Sequence, residues 1–160
     1  MIEVFVQGIT LDPITNMPIV VLKSKEGKDI LPIWIGVFEA NAIAMELENV
    51  ERPRPMTHDL IGSLLCNLGA SVDYIVIHTL KDNTYYADIV LTINGEQIRI
   101  DSRPSDAINI ALRSNAPIYV EEQVLKASLE DVEEKTKMEE DEIKEWLESL
   151  KPEDFKKLEH

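Results

Sequence analysis

The sequence predicts an α+β fold made of two βββα-like repeats that share one core, with an extra helix between them and an amphipathic helix near the C-terminal end. Three observations predict it: segments in which apolar and polar residues alternate, segments with apolar residues at helical spacing, and two parts of the chain that match without a gap. A single repeat is too small to cover both its helix and its sheet face, so the two should pack together.

The first repeat is predicted to contain three strands followed by a helix. A turn-rich stretch from Asp12 to Pro18 separates the first strand from the second. In the helix, Ala40, Ile43 and Leu47 fall on one face. The predicted elements are strands over residues 3–9, 19–23 and 30–35 and a helix over residues 38–50.

An extra helix is predicted before the second repeat, beginning near Thr57 and ending at Gly69, which suits a helix C-cap. In the second repeat, the pair Asn94-Gly95 predicts a tight hairpin between two strands. The predicted elements are strands over residues 73–80, 85–93 and 97–101, a helix over residues 105–113 and a closing strand over residues 117–120.

Two stretches of the chain resemble each other. Residues 33–47 align with residues 98–112 without a gap, and both run from a predicted strand into a predicted helix. An Ala-Ile pair occupies the same place in each, at Ala42 and at Ala107. A chance match of two amphipathic patterns is the alternative, but the shared pair and the shared corner favour an internal duplication.

The last part of the chain has a different composition. Residues 129–160 carry 13 acidic and 6 basic side chains. We therefore divide the chain into a domain over residues 1–125 and an acidic C-terminal extension over residues 126–160. The extension is predicted to contain one amphipathic helix, because four apolar residues recur at helical spacing. These residues are Ile143, Trp146, Leu147 and Leu150.

Composition excludes several classes of protein. The formal net charge of −14 argues against a protein that binds nucleic acid through a broad basic surface. The longest apolar stretch, residues 30–38, is interrupted by Pro32 and Gly36 and is too short to span a membrane. Cys66 is the single cysteine, so no disulfide can form within the chain. The chain also begins without the pattern of a signal peptide, and we expect a cytoplasmic protein.

Polar residues gather at the starts of three predicted helices, in residues 36–39, 52–59 and 101–106. Helix N-termini present unpaired N–H groups and can hold an anion, and carboxylates there can ligate a divalent cation. The simpler alternative is helix capping by Thr57, Ser105 or Asp106. Capping alone explains less well why arginine, histidine and paired acids collect at equivalent corners.

The same residues resemble the bifunctional nuclease domain family, formerly a domain of unknown function. The resemblance rests on Leu31-Pro-Ile-Trp-Ile-Gly36, on Arg52-Pro53 with Thr57-His-Asp-Leu60, and on Ile100-Asp-Ser-Arg-Pro-Ser-Asp-Ala-Ile108. It covers roughly residues 1–125. It implies hydrolysis of phosphodiester bonds in DNA, RNA or both, because nuclease activity on both has been attributed to plant members.

A metal-dependent mechanism is our hypothesis for the polar corners. Carboxylates would hold one or two Mg²⁺ or Mn²⁺ ions that bind the scissile phosphate and activate water, arginines would clamp phosphate oxygens, and a histidine would transfer protons. The hypothetical metal ligands are Glu39, Asp59, Asp101 and Asp106. The phosphate-binding candidates are Arg52, Arg103 and Ser105. The catalytic candidates are His58, Asp59, Asp101 and Arg103.

The alternative is a non-catalytic module that binds an anion, a nucleotide or a protein and associates with itself. In either case we expect a homo-oligomer, with a dimer favoured, because a second copy often covers the exposed sheet edges of a small fold.

Overall fold

One mixed sheet with helices on both faces organises the chain. A computed structural model describes residues 1–135 and 140–151. The strands are β1 (Ile2–Leu11), β2 (Pro18–Ser24), β3 (Ile30–Trp34), β4 (Ala70–Lys81), β5 (Thr84–Ile93), β6 (Glu96–Ser102) and β7 (Ile118–Val120). The helices are α1 (Val37–Leu47), α2 (Thr57–Asn67), α3 (Pro104–Ser114), α4 (Glu122–Lys135) and α5 (Glu140–Ser149). The predicted α+β class is confirmed.

The strands lie in the order β3-β2-β1-β7-β4-β5-β6. Neighbouring strands are antiparallel except β4 and β7, which run parallel. The short β7 therefore joins two antiparallel three-stranded sheets, β3-β2-β1 and β4-β5-β6. The predicted hairpin lies between β5 and β6, where Asn94 and Gly95 have φ values of 51° and 78°. A tight hairpin turn with two positive φ values favours Asn-Gly.

The order of elements is βββα twice, with α2 between the two groups. Both groups contribute to one buried cluster, in which Ile43 of α1 and Ile108 of α3 are fully buried. These two residues stand at matching positions in the alignment of residues 33–47 with residues 98–112. An evolutionary duplication stays a prediction.

The helix α4 is an element that the sequence analysis did not predict. Val124 and Leu125 are buried in the core, and the hydroxyl of Tyr85 donates a hydrogen bond of 3.1 Å to Oγ of Ser128. Only a few apolar residues of α4 face the core, so the helical spacing of apolar residues is hard to recognise among its charged residues. The helix runs through residue 125, the predicted boundary, and the division of the chain there stays a prediction.

The amphipathic helix predicted in the extension is α5. Its residues Trp146 and Leu147, together with Leu150 just after the helix, pack on Ile19 and Val21 of β2. Val20, between these two, and Leu22 face the core on the other side of the sheet, so α5 covers the face opposite to α1, α3 and α4. The side chain of Ile143, and residues 152–160 of the extension, lie outside the described residues. No helix in the described part of the chain is long and apolar enough to cross a membrane.

Replacing Trp146 with alanine tests how firmly α5 is held. Trp146→Ala removes the largest apolar side chain that α5 packs against β2, and we expect the free energy of unfolding to fall by about 2 kcal/mol. Urea denaturation followed by circular dichroism measures it. Lys144→Ala, at an exposed position of the same helix, is the control and should stay within about 0.5 kcal/mol of the wild type. Equal effects of the two substitutions would contradict docking of α5.

Candidate functional site

Three helix starts form the candidate site, and each helix carries an acid at its third position. These acids are Glu39 in α1, Asp59 in α2 and Asp106 in α3. A carboxylate in the first turn is stabilised by the helix dipole. The residues that precede the helices as N-caps are Gly36, Met56 and Arg103, so Thr57, Ser105 and Asp106 are not the N-caps.

Arg103 links the starts of α1 and α3. Its Nε donates to Oδ2 of Asp106 at 2.7 Å, and its Nη2 donates to Oε1 of Glu39 at 2.9 Å. These hydrogen bonds raise the pKa of Arg103, that to Asp106 most. The Arg103 side chain is nevertheless 64% exposed, whereas that of Glu39 is 18% exposed. The guanidinium is therefore held in place and still open to a ligand from solvent.

Gly36 makes room for the carboxylate of Glu39. A Cβ atom at position 36 would collide with Oε2 of Glu39, which folds back over the helix start. Any larger residue there would force this carboxylate away from its present position. The glycine in the predicted corner 36–39 therefore has a steric role in the site.

His58 approaches the same cluster from α2. Its Nε2 lies 2.9 Å from Oδ1 of Asp106, and the histidine is buried. Burial by itself raises the pKa of Asp106, but hydrogen bonds from Arg103 and His58 outweigh it and lower this pKa below its usual value. Asp106 thus holds both a histidine and an arginine, one on each carboxylate oxygen.

Asp59 lies at the centre of a second set of ion pairs. Arg52 donates to both of its oxygens at 2.7 and 2.9 Å, and Arg113 donates to Oδ1 at 2.8 Å. The backbone N–H of Met56 also donates to Oδ2. Burial opposes ionisation, but these hydrogen bonds outweigh it and lower the pKa of Asp59 to about 2. Arg52 also pairs with Glu46 at 2.8 Å.

The buried Asn109 joins the two sets. Its Nδ2 donates to the backbone oxygen atoms of Glu39 and Ser105, and its Oδ1 accepts a hydrogen bond of 2.9 Å from Nη1 of Arg113. Asn109 is 0% exposed and Arg113 has a side chain that is 7% exposed. One continuous polar network therefore runs beneath the starts of all three helices.

The structure brings together most of the residues predicted from the sequence. Six of them belong to the network: Glu39, Arg52, His58, Asp59, Arg103 and Asp106. Ser105 is buried in the first turn of α3, where its backbone oxygen accepts from Asn109. The individual catalytic and binding roles stay predictions.

Asp101 lies elsewhere. It stands opposite Asp88 in the β5–β6 pairing, and opposed residues in an antiparallel pair project from the same face. Asp88 alternates along β5 with Ala87 and Ile89, which face the core and the helices α1 and α3. Asp101, a candidate metal ligand and catalytic residue, therefore projects from the sheet face away from the helix starts.

Three members of the network were not assigned from the sequence: Glu46, Asn109 and Arg113. The last two could have been found. Ser105, Asn109 and Arg113 are spaced four residues apart, so they follow one line along α3. Asn109 also sits between Ile108 and Ile110 in the most buried helix. A polar amide there needs internal hydrogen-bond partners.

Two donor groups of the site, the carboxylates of Glu39 and Asp106, are of the kind that a hard divalent cation prefers. Arg103, however, lies between the two carboxylates and hydrogen-bonds to both. Among the described residues, no three His, Cys, Asp or Glu side chains are grouped closely enough to hold a metal ion. A metal would bind here only if Arg103 moved.

Comparison with known proteins places the chain in a family. A model of the bifunctional nuclease domain matches residues 20–133. The chain belongs to the bifunctional nuclease domain family. The matched region includes all three helix starts and every residue of the polar network.

Two kinds of relative share this family. The uncharacterized protein Rv1829 of Mycobacterium tuberculosis is 46% identical over 163 residues, which cover 96% of this chain and 98% of that protein. Bifunctional nuclease 2 of Oryza sativa subsp. japonica is 31% identical over 118 residues, which cover 71% of this chain and 36% of that protein. Bifunctional nuclease 1 of the same subspecies is 32% identical over 109 residues, covering 66% of this chain and 33% of that protein. The chain thus spans about a third of these plant proteins.

The lowered pKa of Asp59 predicts how stability depends on pH. The pKa is about 2 in the folded chain and 3.8 without these contacts. The ionised carboxylate therefore contributes its full stabilisation above pH 3.8 and loses it as pH falls through about 2. The contribution is about 2 kcal/mol. Asp59→Asn should remove this part of the pH dependence and, near pH 7, lower the free energy of unfolding by about 3 kcal/mol, because it leaves a buried arginine without its anion.

Urea denaturation of both proteins between pH 2 and pH 7 measures these effects. Glu51→Gln, which changes an exposed carboxylate in the loop before α2, is the control and should follow the wild type. An Asp59→Asn variant with the acid dependence of the wild type would show that Asp59 does not titrate in this range.

Proposed function

We propose that the chain is a nuclease that hydrolyses phosphodiester bonds of DNA, RNA or both at the starts of α1, α2 and α3. The observation that carries this proposal is Arg103, an exposed guanidinium fixed by Glu39 and Asp106 beside a histidine. Family membership and the names of the plant relatives, bifunctional nucleases 1 and 2, support the class of substrate. We keep the cytoplasmic location as a prediction.

Arg103 is the proposed phosphate-binding group. Two of its N–H groups are used by Glu39 and Asp106, and a guanidinium has five in a planar fork. The remaining donors can bind non-bridging phosphate oxygens and stabilise the charge that develops on them during hydrolysis. In a chain with a net charge of −14, a local cation of this kind is what allows a polyanion to approach.

His58 is the proposed proton-transfer group. An ionised carboxylate only accepts hydrogen bonds, so Nε2 of His58 carries the hydrogen in its contact with Asp106. Nδ1 of the neutral imidazole then has the lone pair. It takes a proton from water as the water oxygen bonds to phosphorus and the ester P–O bond breaks. The leaving oxygen then takes a proton from solvent, and the protonated His58 releases its extra proton to solvent.

A divalent ion, Mg²⁺ or Mn²⁺, is a further part of the proposal. Glu39 and Asp106 would supply its carboxylate oxygens after Arg103 turned toward the substrate. When bound, such an ion would neutralise phosphate charge and lower the pKa of water. The predicted roles of Asp59 and Asp101 as metal ligands are less well supported, because Asp59 is engaged by two arginines and Asp101 lies on the other sheet face.

Cleavage assays with substituted proteins test the nuclease proposal. Arg103→Ala should lower kcat/KM on fluorescently labelled single-stranded DNA and RNA about 100-fold or more, as expected for the loss of one group that stabilises the transition state. His58→Asn, which keeps a donor toward Asp106, should lower kcat by a similar factor. Arg54→Ala is the matched control, since Arg54 is exposed in the loop before α2 and outside the network.

The assay distinguishes the enzyme from a contaminant. All four proteins are purified identically, and their folding is compared by circular dichroism. If Arg103→Ala and His58→Asn cleave at the rate of the wild type, the activity belongs to a contaminant and the proposal fails.

Metal dependence has its own test. We expect EDTA to abolish cleavage and Mg²⁺ or Mn²⁺ to restore it. We also expect excess Mn²⁺ to raise the Tm of the wild type but not of Glu39→Gln, because a ligand that binds only the folded state stabilises it. Cleavage that persists in EDTA, with no shift in Tm, would remove the metal from the mechanism and leave the roles of Arg103 and His58 intact.

The second candidate is a non-catalytic module that binds an anion, a nucleotide or a protein and self-associates. The pairing of each site arginine with a carboxylate favours it, since such a network is already balanced in charge. Binding of labelled oligonucleotide without cleavage, weakened by Arg103→Ala, would support this candidate over the nuclease.

A further inference from the structure

The outer edge of β6 is an exposed strand edge. In residues 1–135 and 140–151, β6 pairs with β5 on one side and with no strand on the other. The opposite edge of the sheet, β3, is shorter and contains Pro32, which has no N–H to offer a further strand. Strand β6 has seven residues with neither proline nor glycine. Of the two edges, β6 is therefore the one able to accept another strand.

The side chains of β6 divide into two sets. Ile98 and Ile100 stand opposite the core-facing residues of β5, yet each is 43% exposed. Arg99 and Asp101 project from the other face, where Nε of Arg99 donates to Asp88 at 3.0 Å. The strand thus presents exposed apolar residues on one face and opposite charges, two residues apart, on the other.

We propose that β6 pairs antiparallel with β6 of a second copy of the chain, about a twofold axis at Ile100. In this register, Arg99 of each copy stands directly opposite Asp101 of the other, and the two Ile100 residues face each other. Cross-strand pairs of opposite charge and of apolar residues stabilise a sheet, whereas like charges in opposition destabilise it. An axis at Arg99 would oppose the two arginines, and an axis at Asp101 would oppose the two aspartates.

A second copy is the partner that fits this edge, because the side chains of β6 are complementary to those of another β6 when the two strands pair antiparallel. Two chains with a net charge of −14 repel each other, so a specific contact needs local pairs of opposite charge, and Arg99 with Asp101 supplies two of them across the axis. Pairing would continue the sheet through both copies. The proposal does not depend on nuclease activity.

A cysteine on the axis tests the register. Residues opposed in an antiparallel pair have Cα atoms about 5 Å apart, which a disulfide can bridge. In a Cys66→Ser background, Ile100→Cys should give a covalent dimer in mild oxidant, seen on non-reducing gels. Ile98→Cys is the matched control: in this register its two copies lie about 13 Å apart along the strand, too far for a disulfide.

Reversed charges provide a second test in the unmodified Cys66 chain, by sedimentation velocity. Arg99→Asp puts an aspartate at position 99 of each copy, opposite Asp101 of the other copy, and Asp101→Arg puts an arginine at position 101, opposite Arg99. Each variant alone should therefore be monomeric where the wild type is dimeric. Mixed together, they should form a dimer, because every aspartate then faces an arginine. Lys28→Asp, the same change of charge in the β2–β3 turn, should leave the dimer intact.

Several results would overturn the proposal. One is a monomeric wild type at the highest concentration tested. Another is a wild-type dimer that persists in both charge variants, which would move the interface to another surface. A third is equal cross-linking through positions 98 and 100. The register would also be excluded if the two monomeric variants failed to associate on mixing. Their loss of dimerisation would then come from damage to each chain and not from like charges that face each other.

Discussion

The compensation of buried charge at three converging helix starts is the constraint on which the site depends. Each helix places a carboxylate that is at most 30% exposed in its first turn, and a carboxylate in such a site needs a cation beside it. Arg103 and Arg113 supply those cations from the two ends of α3, and Arg52 supplies one from the loop before α2. The helices can therefore approach only in the arrangement that satisfies these pairs.

Asn109 makes this arrangement a single unit. Its amide connects a backbone oxygen of α1 to the guanidinium that holds Asp59, so the position of α1 relative to α3 and the ionisation of Asp59 are linked through one side chain. A fully buried amide that leaves a partner unsatisfied is strongly unfavourable, which makes such networks all-or-none. The exposed Arg103 is consequently held by a rigid base, a requirement for any group that must meet a ligand in one orientation.

Local sequence patterns predicted most of the fold, whereas the site depends on contacts between distant parts of the chain and was predicted less completely. The strand alternation and the Asn-Gly turn are local signals that predicted each of the seven strands seen in the described residues, and the spacing of Ala40 and Ile43 predicted α1. Asp101 was misplaced because it lies within β6 and projects from the sheet face away from the helices, whereas Arg103 follows the end of β6 and is the N-cap of α3. The helix α4 was missed because, among its described side chains, only Val124, Leu125 and Ser128 are buried. One partner of Asn109, the backbone oxygen of Glu39, is 70 residues away in sequence, and only the folded chain brings the two together.

The position of β7 has a consequence for synthesis of the chain. Strand β1 is made before β7, its neighbour on one side, which is encoded more than a hundred residues later. Until residues 118–120 emerge from the ribosome, that side of β1 has no partner, and the first three strands form a sheet with an open edge. At ordinary elongation rates this interval lasts on the order of 10 s. During it, nascent chains are exposed to mispairing with each other, and a chaperone that shields β1 would act at this stage.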